Sequence, residues 1–132
     1  MKVYVASGLE NRCRVIKVIE RLKAMGHTIA YDWTAHGDVR DKGEERMREV
    51  SSNEVNGVSS ADAVIILLPG GKGTHIELGV SLATRQNKRI MLWSETGCEF
   101  GGGNDTCVFY HHPAIERIVC PFEELMERIE SL

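Results

Sequence analysis

The residues best suited to chemistry lie in the segment Asp62–Gly79, which reads DAVIILLPGGKGTHIELG. One glutamate, Glu77, follows three glycines, Gly70, Gly71 and Gly73. Glycines cost chain entropy unless the backbone turns sharply or approaches a ligand closely. A carboxylate beside such a backbone could stabilise positive charge or act as a nucleophile. The alternatives are a tight turn for the glycines and, for Glu77, a carboxylate that complements a helix dipole.

The same segment contains groups that could hold an anion or a sugar. Lys72 offers a charge, and the start of a helix at Thr74 offers free backbone N–H groups. A second turn, Ser7-Gly8, ends the first apolar run of the chain. This is no Walker loop, because Lys72 lacks the Ser or Thr that the full motif requires. The predicted substrate-binding residues are Ser7, Gly8, Gly70, Gly71, Lys72, Gly73 and Thr74.

Strand, glycine turn and helix follow one another in this segment. Ala63–Leu68 is a continuous apolar run, typical of a strand buried on both faces of a parallel sheet. Pro69 and the glycines end it. Thr74 is predicted as the N-cap of a helix that extends to about Asn87, with Glu77 in its first turn. The predicted site therefore lies at the carboxyl end of a central strand, where ligands bind in open α/β sheets.

The rest of the chain alternates in the same way and predicts one α/β domain over residues 1–132. We expect a three-layer αβα, flavodoxin-like or Rossmann-like fold, with a doubly wound parallel sheet of five strands in the order 2-1-3-4-5. Strands one and three are then neighbours, so both special turns line one crevice. The other predicted strands are Lys2–Ala6, His27–Tyr31, Arg89–Trp93 and Arg117–Cys120, and the other predicted helices are Asn11–Met25, Glu44–Ser60 and Pro121–Ile129.

Composition narrows the function classes. The formal net charge of −3 argues against a nucleic-acid polymer as partner. No apolar run is long enough to span a membrane, and the start of the sequence shows no signal-peptide pattern. The four cysteines are scattered, which favours reduced thiols and a cytoplasmic location. A zinc site from Cys98, Cys107, His111 and His112 is conceivable, but the spacing fits no common pattern, so no metal or cofactor is predicted.

Three other residues need an assignment to the site or to the core: Tyr4, Trp33 and Asp62. Trp33, in the long polar loop Asp32–Gly43, could cover a base or could pack as a satellite of the core. Tyr4 lies inside the first strand and is assigned to the core rather than the site. Asp62 lies at the amino end of the central strand, away from the crevice, and is therefore not assigned to the site.

The chain resembles the nucleoside 2-deoxyribosyltransferase family over nearly its full length. The matching features are the KVYVAS start, the stretch Asn53–Val58 before a Ser-Ala-Asp strand, and G-T-x-x-E-L-G around Glu77. The resemblance implies that Glu77 is the nucleophile, attacking the anomeric carbon to form a glycosyl-enzyme ester. Glu54 matches a position that is normally an active-site aspartate. Gly71 stands six positions before the nucleophile, where many members carry Asp or Ser.

A second resemblance is local. Pro69 to Glu77, PGGKGTHIE, matches the PGGxGTxxE motif of the cytokinin-activating phosphoribohydrolases, the lysine-decarboxylase-like family. Those enzymes hydrolyse the N-glycosidic bond of nucleoside monophosphates, and they are longer. Both resemblances imply a small-molecule nucleoside or nucleotide and cleavage between base and C1′. Chemistry agrees, because Glu77 could stabilise or capture a charged sugar while Glu54 protonates or orients the leaving base.

Three expectations complete the sequence-based hypothesis. The first resemblance implies a homo-oligomer, such as a dimer, with the Gly-rich loop Ser94–Thr106 as a candidate donor to a neighbouring site. The anion-binding turns favour a 5′-monophosphate over a free nucleoside, with Lys72 and either Arg12 or Arg14 supplying charge. The competing hypothesis is a non-catalytic nucleotide-binding or sensing module with a Rossmann-like or TIR-like fold.

Overall fold

A computed structural model describes residues 1–132 and contains a five-stranded sheet in the order β2-β1-β3-β4-β5, with every neighbouring pair parallel. The predicted fold class and strand order are confirmed. The strands are β1 Lys2–Ser7, β2 Thr28–Ile29, β3 Ala63–Leu67, β4 Arg89–Ser94 and β5 Ile115–Val119, and the α-helices are α1 Arg12–Ala24, α2 Glu44–Ser60, α3 Lys72–Ala83 and α4 Phe122–Arg128.

The core forms where the apolar runs of the sequence meet. All five residues of β3 are buried, as expected for a central strand covered on both faces. β1 and β4 flank it and are buried except at their first residues. β5 is the edge strand, with Glu116 and Arg117 exposed, and β2 at the other edge has only two residues. No helix combines the length and the apolar character needed to cross a membrane.

Several predicted boundaries need correction. The α3 helix begins at Lys72 with Gly71 as N-cap, so Thr74 is not the N-cap and Glu77 lies in the second turn. Gly71 can act as the N-cap without a capping side chain because its backbone is extended at the end of the turn. The Gly71 N–H in turn donates to the Thr74 hydroxyl. The helix ends at Ala83 rather than near Asn87.

The remaining elements are shifted by a few residues. Pro121 is the N-cap of α4 rather than its first residue. β5 begins at Ile115, two residues before the predicted start, because Ile115 pairs with Ile90 of β4. Gly26 follows the end of α1 with a positive φ of 89°, which is common for a glycine just after a helix.

Adjacent carboxyl ends of β1 and β3 create the crevice. Ser7 pairs with Leu67 in the sheet, and its Oγ donates to the Leu67 carbonyl at 2.7 Å. The Gly8 N–H then donates to the Pro69 carbonyl at 3.3 Å. The two turns that follow these strands are therefore tied to each other, as the strand order required.

Candidate active site

A cleft of about 660 Å³ opens at the carboxyl ends of β1 and β3. Both predicted carboxylates, Glu54 and Glu77, line it. The two turns contribute Ser7, Gly8, Gly71, Lys72, Gly73 and Thr74. Gly70 alone of the predicted binding residues does not line the cleft. A Cβ at Gly70 would lie 2.4 Å from Thr74 Cγ2, so this glycine shapes the turn instead.

Glu77 is the most buried acidic side chain of the cleft, with 9% of its surface exposed. Tyr4 Oη donates a short hydrogen bond to Glu77 Oε2. The sequence assigns Tyr4 to the core rather than the site. The residue is fully buried, but its hydroxyl contacts the Glu77 carboxyl. A signal was present, because a buried tyrosine hydroxyl requires a partner and β1 was predicted to adjoin the Glu77 segment.

Burial raises the pKa of Glu77 from its ordinary 4.5 to about 8. The Tyr4 hydrogen bond acts in the opposite direction, because it stabilises the carboxylate, while the nearby Glu54 raises the pKa further. Burial, followed by the charge of Glu77, raises the pKa of Tyr4 well above its usual range, so Tyr4 stays protonated and donates. The Glu77 carboxyl therefore keeps its proton to a higher pH than an exposed glutamate does.

Glu54 lies on α2 and is half-buried at the cleft. Burial raises the pKa of its carboxyl, and the charge of His36 lowers it. His36 belongs to the loop between β2 and α2 and also lines the cleft. Its Nε2 is buried without a hydrogen-bond partner. A carboxyl whose pKa is raised is suited to donate a proton to a leaving group.

The start of α3 provides the free donors predicted from the glycine turn. The N–H groups of Lys72, Gly73 and Thr74 make no hydrogen bond within the chain. Lys72 is exposed and forms no ion pair. The Ser7-Gly8 turn differs, because its hydroxyl and its N–H both donate to carbonyls within the protein. The free backbone donors of the cleft therefore lie at the start of α3 rather than at the Ser7-Gly8 turn.

Neither arginine proposed as an extra phosphate ligand lines the cleft. Arg12 donates twice to the Thr34 carbonyl, at 3.0 and 2.5 Å. Arg14 pairs with Glu95 at 2.9 Å, and its guanidinium lies over the Trp93 ring. Arg12 and Arg14 already bind a carbonyl and a carboxylate within the protein, so the prediction that either one contacts a phosphate is wrong.

The loop between β2 and α2 contributes charged residues that the sequence reasoning missed. Asp38 and Arg40 line the cleft and form an exposed ion pair with each other at 2.6 Å. Glu10, after β1, also lines it. Trp33 packs in the core, with its buried indole donating to the Val5 carbonyl at 2.8 Å, and it also lines the cleft. Its contact with a base stays a prediction. Exposed loop charges carry no periodic signal, so only the structure reveals them.

The cysteines and histidines considered for zinc do not form a ligand set. The structure has no group of three or more His, Cys, Asp or Glu side chains placed to hold a metal ion. All four cysteines are free thiols. His111 instead contacts Thr106 Oγ1 at 2.8 Å.

Comparison with known proteins identifies the class. The family model for nucleoside 2-deoxyribosyltransferase matches residues 3–112. The chain therefore belongs to this family, and it is an enzyme of the kind that acts on N-glycosyl bonds. A comparison with curated proteins finds no significant match.

Solved structures share the fold over essentially the whole chain. The CMP N-glycosidase BcmB of Clostridium botulinum superimposes with a TM-score of 0.65 at 18% identity, covering 98% of this chain and 99% of that one. A conserved protein from Enterococcus faecalis V583 superimposes with a TM-score of 0.59 at 19% identity, covering 99% and 98%. At these identities the likeness establishes the fold.

Proposed function

We propose that this protein cleaves the N-glycosidic bond of a nucleoside or deoxynucleoside, or of the corresponding 5′-monophosphate, with Glu77 as nucleophile. The observation that carries the proposal is the buried Glu77 carboxyl in the cleft, with Tyr4 donating to one of its oxygens. Breaking the bond between C1′ and the base builds positive charge on the sugar ring. A carboxylate beneath C1′ stabilises or captures that charge.

Each step has a residue suited to it. One oxygen of Glu77 is held by Tyr4, which leaves the other to attack C1′. The electrons of the C1′–N bond pass to the base, and Glu54 donates a proton to it. Burial favours the protonated form of Glu54, as this role requires. Water then attacks C1′, its proton passes to the Glu54 carboxylate, and the ester bond to Glu77 breaks, which is hydrolysis. A second base that attacks C1′ through a ring nitrogen and loses its proton in the same way gives transfer.

A 5′-monophosphate is the preferred substrate in this proposal. Three unpartnered N–H groups and the Lys72 ammonium at the start of α3 suit a phosphate. Gly71 places no carboxylate there. Glu10 and Asp38 also line the cleft, and their carboxylates would repel a phosphate that came close to them. The CMP N-glycosidase of the same fold acts, by its name, on a nucleoside monophosphate.

The first experiment measures base release. Purified protein is incubated with a panel of nucleosides, deoxynucleosides and their 5′-monophosphates, with and without a second base, and free base is quantified by chromatography. Glu77→Ala should lower turnover by several orders of magnitude while the circular dichroism spectrum is unchanged. Near-normal turnover by folded Glu77→Ala would refute the nucleophile. Tight nucleotide binding without base release would support a sensing module instead.

The second experiment tests phosphate recognition. Lys72→Ala should lower kcat/KM for the monophosphate by about tenfold or more relative to the nucleoside, since a charge-assisted contact contributes about 1.5–3 kcal/mol. Inorganic phosphate should compete with the monophosphate. Lys17→Ala, an exposed lysine of α1, is the charge-matched control and should leave the ratio unchanged. Equal use of nucleoside and monophosphate, unaffected by Lys72→Ala, would show that the glycine turn contacts the sugar alone.

A further inference from the structure

We propose that His75 and Tyr110 are positioning residues that orient the backbone of the glycine turn toward the substrate. The two side chains form a hydrogen-bonded pair that contacts the Gly71 carbonyl and does not line the cleft. Only the kinetic part of this inference depends on the proposed function, because the geometry can be measured without a substrate.

The hydrogen bonds have a definite direction. His75 Nδ1 lies 2.6 Å from the Gly71 carbonyl oxygen, and His75 Nε2 lies 2.6 Å from Tyr110 Oη. A carbonyl can only accept, so Nδ1 carries a proton. In the neutral ring Nε2 is then an acceptor, and Tyr110 donates its hydroxyl proton to it. The rings stack with centroids 5.6 Å apart and planes 29° apart, which fixes the orientation of the imidazole.

Holding the Gly71 carbonyl also orients the Lys72 N–H, because both belong to one planar peptide group. The Gly71 carbonyl accepts from both the His75 imidazole, at 2.6 Å, and the His75 backbone N–H, at 3.3 Å. In a trans peptide the C=O and N–H bonds point in opposite directions, so a carbonyl held by His75 directs the Lys72 N–H away from His75. Gly71 and Lys72 both line the cleft. The Gly71 N–H is fixed as well, by Thr74 Oγ1 at 3.1 Å. The donors proposed for the phosphate are thus set before a ligand arrives.

Tyr110 is itself firmly held. Only 6% of its surface is exposed, and the Phe100 ring meets it edge-on at 6.2 Å. Arg117 of β5 lies over the other aromatic ring of this pair, 5.3 Å from the Phe100 centroid. Phe100 and Tyr110 both come from the connection between β4 and β5, residues 95–114. This connection therefore supports the glycine turn of its own chain. That role is distinct from donating residues to the site of a neighbouring subunit.

Nuclear magnetic resonance tests the geometry directly. A long-range ¹H–¹⁵N correlation spectrum, recorded where the imidazole is neutral, distinguishes a ring protonated at Nδ1 from one protonated at Nε2. The His75 signals are assigned by their absence in His75→Asn. We expect the Nδ1-protonated tautomer, and we expect the Lys72 amide resonance to move in His75→Ala and Tyr110→Phe. The Nε2-protonated tautomer, or an unmoved Lys72 amide in both variants, would overturn the inference.

Kinetics test the consequence. With the monophosphate that gives the highest turnover, His75→Ala should raise KM about threefold to tenfold and leave kcat within about twofold, as expected for one lost hydrogen bond that acts on binding. His75→Asn should restore KM to within about twofold, because its amide nitrogen occupies the place of Nδ1. Tyr110→Phe should give a smaller increase of about twofold to threefold.

A matched control separates positioning from general destabilisation. His27→Ala removes a histidine just before β2 that does not line the cleft, and it should change neither KM nor the Lys72 amide. An equal loss of kcat and stability in His75→Ala and His75→Asn would refute a positioning role. If no nucleoside or nucleotide is cleaved, the proposed function fails and the tautomer measurement alone decides the inference.

Discussion

The raised pKa of Glu77 predicts that this carboxyl destabilises the fold as pH rises. Folded Glu77 loses its proton near pH 8, whereas an unfolded glutamate does so near 4.5. Between these values the unfolded state releases a proton that the folded state retains, so stability from this group is present below 4.5 and is lost as pH rises to about 8. At about 1.36 kcal/mol per pKa unit, the total loss is at most about 5 kcal/mol.

Glu77→Gln removes this loss and keeps the Tyr4 hydrogen bond, because the amide oxygen still accepts. We expect the free energy of unfolding of the variant to exceed that of the wild type by an amount that grows from pH 5 to about 8 and is constant above. Urea titrations at five pH values measure it. Glu20→Gln, an exposed glutamate of α1, removes the same charge outside the cleft and is the control. Parallel pH dependences for wild type and Glu77→Gln would refute the reasoning.

Two further predictions concern Tyr4 and the glycine that packs against it, Gly57. Tyr4→Phe removes the donor that stabilises the Glu77 carboxylate, so the acidic limb of the pH profile of kcat/KM should move about one to two pH units upward; an unmoved limb would mean that Glu77 does not titrate in catalysis. Gly57→Ala places a Cβ 2.9 Å from Tyr31 Cβ and should lower the free energy of unfolding by about 1–3 kcal/mol. Gly79→Ala, also helical but with open space around the new Cβ, should be neutral or stabilising in the same urea titration.

Much of the fold follows from patterns that the sequence displays. The apolar run Ala63–Leu68 and the glycine turn after it predict a central strand and a ligand-binding loop, and the strand order follows from short right-handed crossovers. The sequence predicts the N-cap of α3 three residues late, at Thr74, because Thr is a common N-cap, whereas the helix has Gly71 as its N-cap. N-cap preferences rank the residue types, but the backbone conformation of the turn decides which residue begins the helix.

The site was harder to predict where it depends on contacts between distant segments. Glu77 and the glycine turn are adjacent in sequence and were found together. Arg12 was placed near a phosphate by its position at the first helix, although it donates to the Thr34 carbonyl instead. The role of Tyr4 is not visible in the apolar pattern of the strand, because that pattern predicts only that its ring is buried. The contact of its hydroxyl with Glu77 depends on the pairing of β1 with β3.

The segment Asn53–Val58 shows how one helix face serves both packing and chemistry. Residues three apart lie on the same side of a helix, so Glu54 and Gly57 of α2 share a face. At Gly57 the helix approaches the sheet so closely that a Cβ would lie 3.2 Å from the Tyr4 ring and 2.9 Å from Tyr31 Cβ. One turn earlier, the same approach places Glu54 at the cleft, close enough to raise the pKa of Glu77. The close approach of α2 at Gly57 therefore brings the helix face that carries Glu54 toward the cleft that contains Glu77. For this reason Gly57→Ala should alter the pH profile of catalysis as well as stability.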